Sequence, residues 1–137
     1  MKEEDNKMNT KQAILCMGSN QQAAEQIGRA QELLRGLLPG IRFTRTLKTE
    51  PIGIESAPFG NCLAQAETTL TAAELNNHLK QIEAACGNTQ ALRKQNIIRM
   101  DIDLLQLGET RYHEADWERP FVRLLLKEII QTGKPQR

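Results

Sequence analysis

Asp101 and Asp103 are the residues of this chain best placed to do chemistry together. They lie in Ile98-Arg99-Met100-Asp101-Ile102-Asp103-Leu104-Leu105, where apolar and polar side chains alternate. That alternation predicts a strand with Ile98, Met100, Ile102 and Leu104 toward a core and Arg99, Asp101 and Asp103 on the opposite face. Residues two apart on a strand are roughly 6.5–7 Å apart at Cα, which lets two carboxylates converge on one or two divalent cations. Paired aspartates beside an arginine point to Mg²⁺ with a phosphate-bearing ligand, because Mg²⁺ is usually held by one or two carboxylates and by substrate phosphates. A solvated strand face carrying charges is the competing reading, and the rest of the chain must separate the two.

The elements that position this pair follow from periodicity. Residues 1–11 read as a mobile charged leader, residues 12–132 as a single domain and residues 133–137 as a tail. Ala13-Ile14-Leu15-Cys16-Met17 is an apolar run ending at Gly18-Ser19-Asn20, a buried strand followed by a turn. From Gln21, the positions Ala23, Ile27, Ala30, Leu34 and Leu37 recur at helical spacing until Pro39-Gly40. A second strand is predicted over 41–48, where Ile41, Phe43, Arg45 and Leu47 alternate with polar residues. A loop then runs from Pro51 to about Gly60, and a third strand over Asn61–Leu70. Thr71-Ala72-Ala73-Glu74 is a capping box that opens a second helix, with Leu75, Leu79, Ile82 and Cys86 on one face and Gly87-Asn88 at its end. Pro120 suits the first turn of a last helix, with Phe121, Leu124, Leu125 and Ile129 inward. The order strand, helix, strand, strand, helix, strand, helix predicts an α+β fold: a ferredoxin-like βαββαβ core with an additional C-terminal helix.

Composition narrows the function. A net charge of +1 provides no field for gripping nucleic acid or an anionic membrane, and 4% aromatic residues leave few platforms for base stacking. No apolar run approaches membrane-spanning length. Cys16, Cys62 and Cys86 are odd in number and far apart, which fits reduced thiols in the cytoplasm. With only His78 and His113 available, a zinc site is not expected, and His78 in mid-helix reads as structural.

Taken together, the motifs resemble a known family. Gly18-Ser19-Asn20 follows strand one, Thr49-Glu50-Pro51-Ile52-Gly53 follows strand two, and Phe59-Gly60-Asn61 opens strand three. Ile82-Glu83 lies late in helix two, Asp101-Ile102-Asp103 in strand four, and His113 precedes Arg119-Pro120-Phe121 at the expected interval. Over about residues 12 to 130 the chain resembles the 6-hydroxymethyl-7,8-dihydropterin pyrophosphokinases of folate biosynthesis, which move diphosphate from ATP to the pterin and release AMP. The resemblance implies that Asp101 and Asp103 hold two Mg²⁺ ions and do the catalytic work of neutralising phosphate charge. It implies ATP contacts from His113 and Arg119, with Glu83 near the nucleotide. It also implies a pterin pocket of Thr49, Ile52, Phe59, Asn61 and Phe121, with Asn61 on the pterin edge and Phe121 stacked on the ring. ATP and the pterin are then the partners, with no nucleic acid or membrane, in a monomer or weak oligomer.

The chain departs from the family pattern just before the metal strand. Where the family carries an Arg-Trp-Gly-Pro-Arg-like run, this sequence reads Lys94-Gln95-Asn96-Ile97-Ile98. Arg93, Lys94 and Arg99 are the cations left nearby and the candidate substitutes for the missing phosphate contacts, with Lys94 and Arg99 placed among the expected ATP contacts. Two readings stay open: a divergent enzyme, or a catalytically impaired module that binds pterin or nucleotide. An RNA-binding or protein-interaction domain is disfavoured by charge and composition.

Overall fold

The structure is a computed structural model that describes the backbone of residues 9–133 and the side chains of residues 9–129. Most of the expected leader and tail therefore lies outside the described residues. Lys11, expected at the end of that leader, already pairs with Thr68 in the sheet.

Strand β1 (Lys11–Ser19) is the centre of the molecule. Its run of apolar residues is buried on both faces, as a strand sandwiched between two layers must be. It pairs antiparallel with β4 (Phe59–Thr68) on one side and with β5 (Asp101–Leu107) on the other. The short strands β2 (Arg42–Phe43) and β3 (Leu47–Thr49) extend the β4 edge, and β6 (Thr110–Arg111) extends the β5 edge. The order β2-β4-β1-β5-β6, with β3 beside β4, is the ferredoxin-like arrangement with added edge strands.

Helices α1 (Ala23–Leu37) and α2 (Ala72–Ala85) cover one face of the sheet. Ile27, Ala30 and Leu34 of α1 and Leu75, Leu79 and Ile82 of α2 pack there with Leu15, Met17, Met100, Ile102 and Leu104. Helix α2 begins at the expected capping box: Glu74 N–H donates to Thr71 Oγ1 at 3.1 Å, and Thr71 N–H donates to Glu74 Oε1 at 2.9 Å. The other face is covered by α4 (Pro120–Gly133) and by a 3₁₀ turn over Glu114–Glu118, whose Trp117 joins Ile14, Leu63, Leu105, Val122, Leu125 and Ile129.

Three expectations need correction. The single strand over 41–48 is two strands, because Thr44 is drawn inward. Its N–H donates to Leu63 O at 2.9 Å and its hydroxyl accepts from Leu63 N–H at 2.9 Å. The break reverses the alternation, so Phe43 packs with the α1–α2 core and Leu47 with the α4 core. In α4 the buried stripe is Val122, Leu125 and Ile129; Leu124, expected inward, is 46% exposed. The aspartate strand, β5, starts at Asp101 rather than Ile98. Ile98 is buried but stands apart from the row of Met100, Ile102 and Leu104.

Candidate active site

A cleft of about 240 Å³ opens at the ends of β1, β4 and β5. Its walls are Cys16 and Gly18 from β1, Thr49 at the end of β3, Glu50, Pro51, Ile52 and Ile54 from the loop that follows, Phe59 and Asn61 from β4, and Asp101 and Asp103 from β5. Asp116, Arg119 and Phe121 close the remaining side, with Ile98 at the base of the segment leading into β5. Thr49, Ile52, Phe59, Asn61 and Phe121, singled out from sequence as one group, thus line a single space together with both aspartates.

Asn61 is held where it can offer hydrogen bonds into the cleft. Its Nδ2 donates to Thr49 Oγ1 at 2.6 Å, tying β4 to the end of β3. Gly18 explains why it fits: a Cβ at that position would lie 2.6 Å from Asn61 Oδ1. Its φ is not positive, so what this glycine supplies is space rather than a turn conformation. Phe121 is half-buried against the α4 core, while Ile52 on the facing loop is 68% exposed, an apolar side chain beside an apolar wall.

The acidic side is built by the alternation of β5. With Ile102 in the core, Asp101 and Asp103 turn to the opposite face, each side chain about two-fifths exposed. Asp101 is paired with Arg93, and Asp103 Oδ1 lies 3.8 Å from His113 Nε2. His113 takes a left-handed backbone conformation, φ 55°, at the entrance to the 3₁₀ turn, and Trp117 pins that turn by donating to Tyr112 O at 3.0 Å. Asp116 therefore joins the group: ligand atoms of Asp103, His113 and Asp116 all lie within 4.8 Å of one another. Asp116 also pairs with Arg119, at 3.4 Å from its Nε. Sequence reasoning missed Asp116, although His113, Asp116 and Arg119 recur every third residue, the period of a 3₁₀ turn.

Burial pushes the Asp103 carboxyl above its ordinary value, and the negative charges of Asp101 and Asp116 add to that against His113 and Arg93. A site with this surplus of negative charge favours a bound cation. Its aspartates offer carboxylate oxygens, which is the donor type that Mg²⁺ takes, and His113 adds an imidazole nitrogen. Asp101, Asp103 and Asp116 thus offer donors of the kind a magnesium ion takes, although the ligand atoms that lie within 4.8 Å of one another are those of Asp103, His113 and Asp116.

Glu83, Arg99 and Lys94, all expected near the nucleotide, do not line the cleft, and neither does His113. The Glu83 carboxylate accepts from Ile102 N–H at 2.8 Å, fixing the peptide between the two aspartates. Burial raises the Glu83 carboxyl, the Ile102 hydrogen bond opposes that, and Asp101 raises it again. Arg99 turns away from the acidic face: its Nε donates to Cys86 O at 2.9 Å and its Nη1 to Gln21 Oε1 at 3.0 Å. It lies over Gly87, whose φ of +93° ends α2 and where a Cβ would meet Arg99 Nε at 2.6 Å. Lys94, in the last turn of α3 (Gln90–Lys94), is exposed.

The structure thus joins an antiparallel ferredoxin-like sheet to a mixed polar and apolar cleft with an aspartate pair in its wall. The chain belongs to the 7,8-dihydro-6-hydroxymethylpterin-pyrophosphokinase family, whose model matches residues 14–131. Among curated proteins it is 30% identical over 134 residues to the folate synthesis bifunctional protein of Arabidopsis thaliana, covering 88% of this chain and 27% of that protein. It is also 30% identical over 135 residues to the mitochondrial folate synthesis bifunctional protein of Pisum sativum, covering 89% of this chain and 26% of that one. The chain thus spans about a quarter of the length of these relatives. A hydantoinase/carbamoylase family amidase from Burkholderia ambifaria matches 90% of this chain and 33% of its own, at a TM-score of 0.40 and 11% identity, too distant to bear on fold or chemistry. Among the described residues no helix is long and apolar enough to cross a membrane.

Proposed function

We propose that the chain transfers the diphosphoryl group of ATP to the hydroxymethyl oxygen of 6-hydroxymethyl-7,8-dihydropterin, in the folate pathway of the cytoplasm. One observation carries this reading: the five residues expected at the pterin line the same cleft as the two expected metal aspartates. In the reaction the hydroxymethyl oxygen bonds to the β-phosphorus and its proton is lost to solvent. The bond from that phosphorus to the α,β-bridging oxygen breaks, and AMP leaves with the electron pair.

Asn61 and Thr49 supply polar contacts at the pterin edge, and Phe121 and Ile52 cover its faces, excluding water from the transfer. Bound Mg²⁺ supplies charge neutralisation at the polyphosphate. Asp101 and Asp103 would hold it, with Glu83 keeping their shared peptide in place. Arg119, oriented by Asp116, offers a guanidinium to phosphate oxygens at the cleft wall. Family membership and the ordinary use of ATP and Mg²⁺ in that family support these roles. Three free cysteines fit a reducing compartment.

An assay of AMP release with ATP, Mg²⁺ and the pterin tests the proposal. Pterin-dependent AMP that disappears in Asp101→Ala is the expected result. A second reading, binding without turnover, draws on Ile98 standing where the family run ends in arginine and on Arg99 being committed to Cys86 and Gln21. Calorimetric binding of pterin or nucleotide with no AMP formed would select that reading instead.

A further inference from the structure

Resting on the reading above, we propose that Arg93 is the phosphate-binding cation contributed by the segment before β5, stored against Asp101 until a divalent ion claims that carboxylate. The sequence offers Arg93 only as one of three nearby cations, beside Lys94 and Arg99. Its guanidinium is nevertheless the partner of Asp101, one of the two candidate metal holders. A cation already resting on a metal ligand must leave when the metal arrives, because two positive charges compete for one carboxylate.

The segment is built to let it leave. Helix α3 spans only Gln90–Lys94 and buries no residue. Its start is capped by Thr89, whose hydroxyl accepts from Leu92 N–H at 3.1 Å. Its exit passes through Asn96, with φ 63°, whose carbonyl accepts from Asn20 Nδ2 at 2.8 Å. The exit is thus tied to the end of β1 while no residue of the helix itself is buried. The Arg93–Asp101 pair is itself 39% exposed on both sides, a weak tie that a metal ion can displace. Arg99 is the opposite case, with two acceptors and a glycine beneath it, and it is not available to a ligand.

Once displaced, Arg93 remains beside Asp101, where a metal-bound polyphosphate would lie. A guanidinium fork matches phosphate oxygens in a way that the neighbouring Lys94 cannot. Arg93 therefore has two opposed effects: it competes with metal on the ligand-free protein and it assists nucleotide once metal is bound.

Those opposed signs give the test. Mn²⁺ binding to ligand-free protein is followed by the loss of its free-ion resonance signal, and binding of α,β-methylene ATP at saturating Mn²⁺ by calorimetry. Arg93→Gln is expected to bind Mn²⁺ about two- to fivefold more tightly and the nucleotide analogue about tenfold or more weakly. Arg93→Lys should fall between, with the metal effect retained better than the nucleotide effect. Changes of both affinities in one direction, or no change in either, would overturn the role of Arg93 while leaving the proposed function standing. Wild-type protein that binds neither Mn²⁺ nor the analogue would remove both.

Discussion

Asn20 and Ile98 are locked by a reciprocal pair of hydrogen bonds across 78 residues of sequence: Asn20 N–H donates to Ile98 O at 2.9 Å, and Ile98 N–H donates to Asn20 Oδ1 at 2.7 Å. A third bond, from Asn20 Nδ2 to Asn96 O at 2.8 Å, extends the clamp. The end of the first strand thereby sets where the aspartate strand begins. Asn20→Ala removes two of the three bonds and leaves the buried Ile98 N–H without its acceptor, a loss of about 1–3 kcal/mol. Urea denaturation should show it, together with weaker metal binding; Asn20→Asp should keep the Ile98 bond and lose less. Equal stability of Asn20→Ala and wild type would refute the clamp.

Gly18→Ala tests how Asn61 is accommodated. The added Cβ would meet Asn61 Oδ1 at 2.6 Å, so the amide must leave its position against Thr49. Pterin affinity should fall about tenfold, as expected for losing one good hydrogen bond in a closed site, while α,β-methylene ATP affinity changes little. A parallel loss of both ligands would indicate general damage instead.

The face of α4 gives a clean contrast. Leu125 is fully buried and Leu124 is 46% exposed. Leu125→Ala should cost about 2–5 kcal/mol, and Leu124→Ala about 0.5 kcal/mol or less. Comparable costs at both positions, measured by thermal or urea unfolding, would place the helix in a different phase.

Glu83 and Asp103 both have carboxyls raised above their ordinary values, mainly by burial. A raised carboxyl in the folded state means that the folded protein binds the proton more tightly than the unfolded chain. The resulting stabilisation is complete below the unfolded value of about 4 and is lost as pH rises through the folded value. Glu83→Gln keeps an acceptor for Ile102 N–H and removes the titration. In ligand-free protein, the Tm difference between Glu83→Gln and wild type should therefore move in favour of the variant as pH rises from about 4 to 7. A pH-independent difference would count against the burial cost assigned to Glu83.

Thiol chemistry should be slow. Burial pushes the Cys62 thiol up to about 11 and also raises Cys16 and Cys86. Native protein at pH 8 should react with Ellman's reagent far more slowly than the same protein in guanidinium, because the thiolate is the attacking species. Rapid reaction of one thiol in native protein would mark a cysteine more accessible than the structure has it.

Local signals carried much of the fold. The capping box at Thr71 and Glu74, the stop at Gly87 and the helix start at Pro120 each involve residues close in sequence. The two-residue period put Asp101 and Asp103 on one face for the same reason. What escaped detection depends on distant partners. Thr44 leaves the alternation of its strand because Leu63 supplies both a donor and an acceptor, and nothing within 41–48 signals that. In α4, apolar residues at 121, 122, 124, 125 and 126 leave the phase of the helix open until Ile14, Leu63 and Leu105 select it. Arg99 shares the parity of Asp101, yet the end of α2 captures it. The site was legible as a set of residue types from the family pattern, while Asp116 and the Arg93–Asp101 pair emerge only from the assembled geometry.

The cleft draws its walls from Cys16 through Phe121, nearly the whole described chain, with no two consecutive elements sufficient to form it. The site therefore has no existence in a partly folded chain, and any ligand that fills it binds only the complete structure. Occupancy is then a contribution to folding as much as to chemistry: a ligand at a hundred times its Kd adds about 2.7 kcal/mol to the unfolding free energy. In a cell, the supply of such a ligand would then bear on how long the folded chain survives.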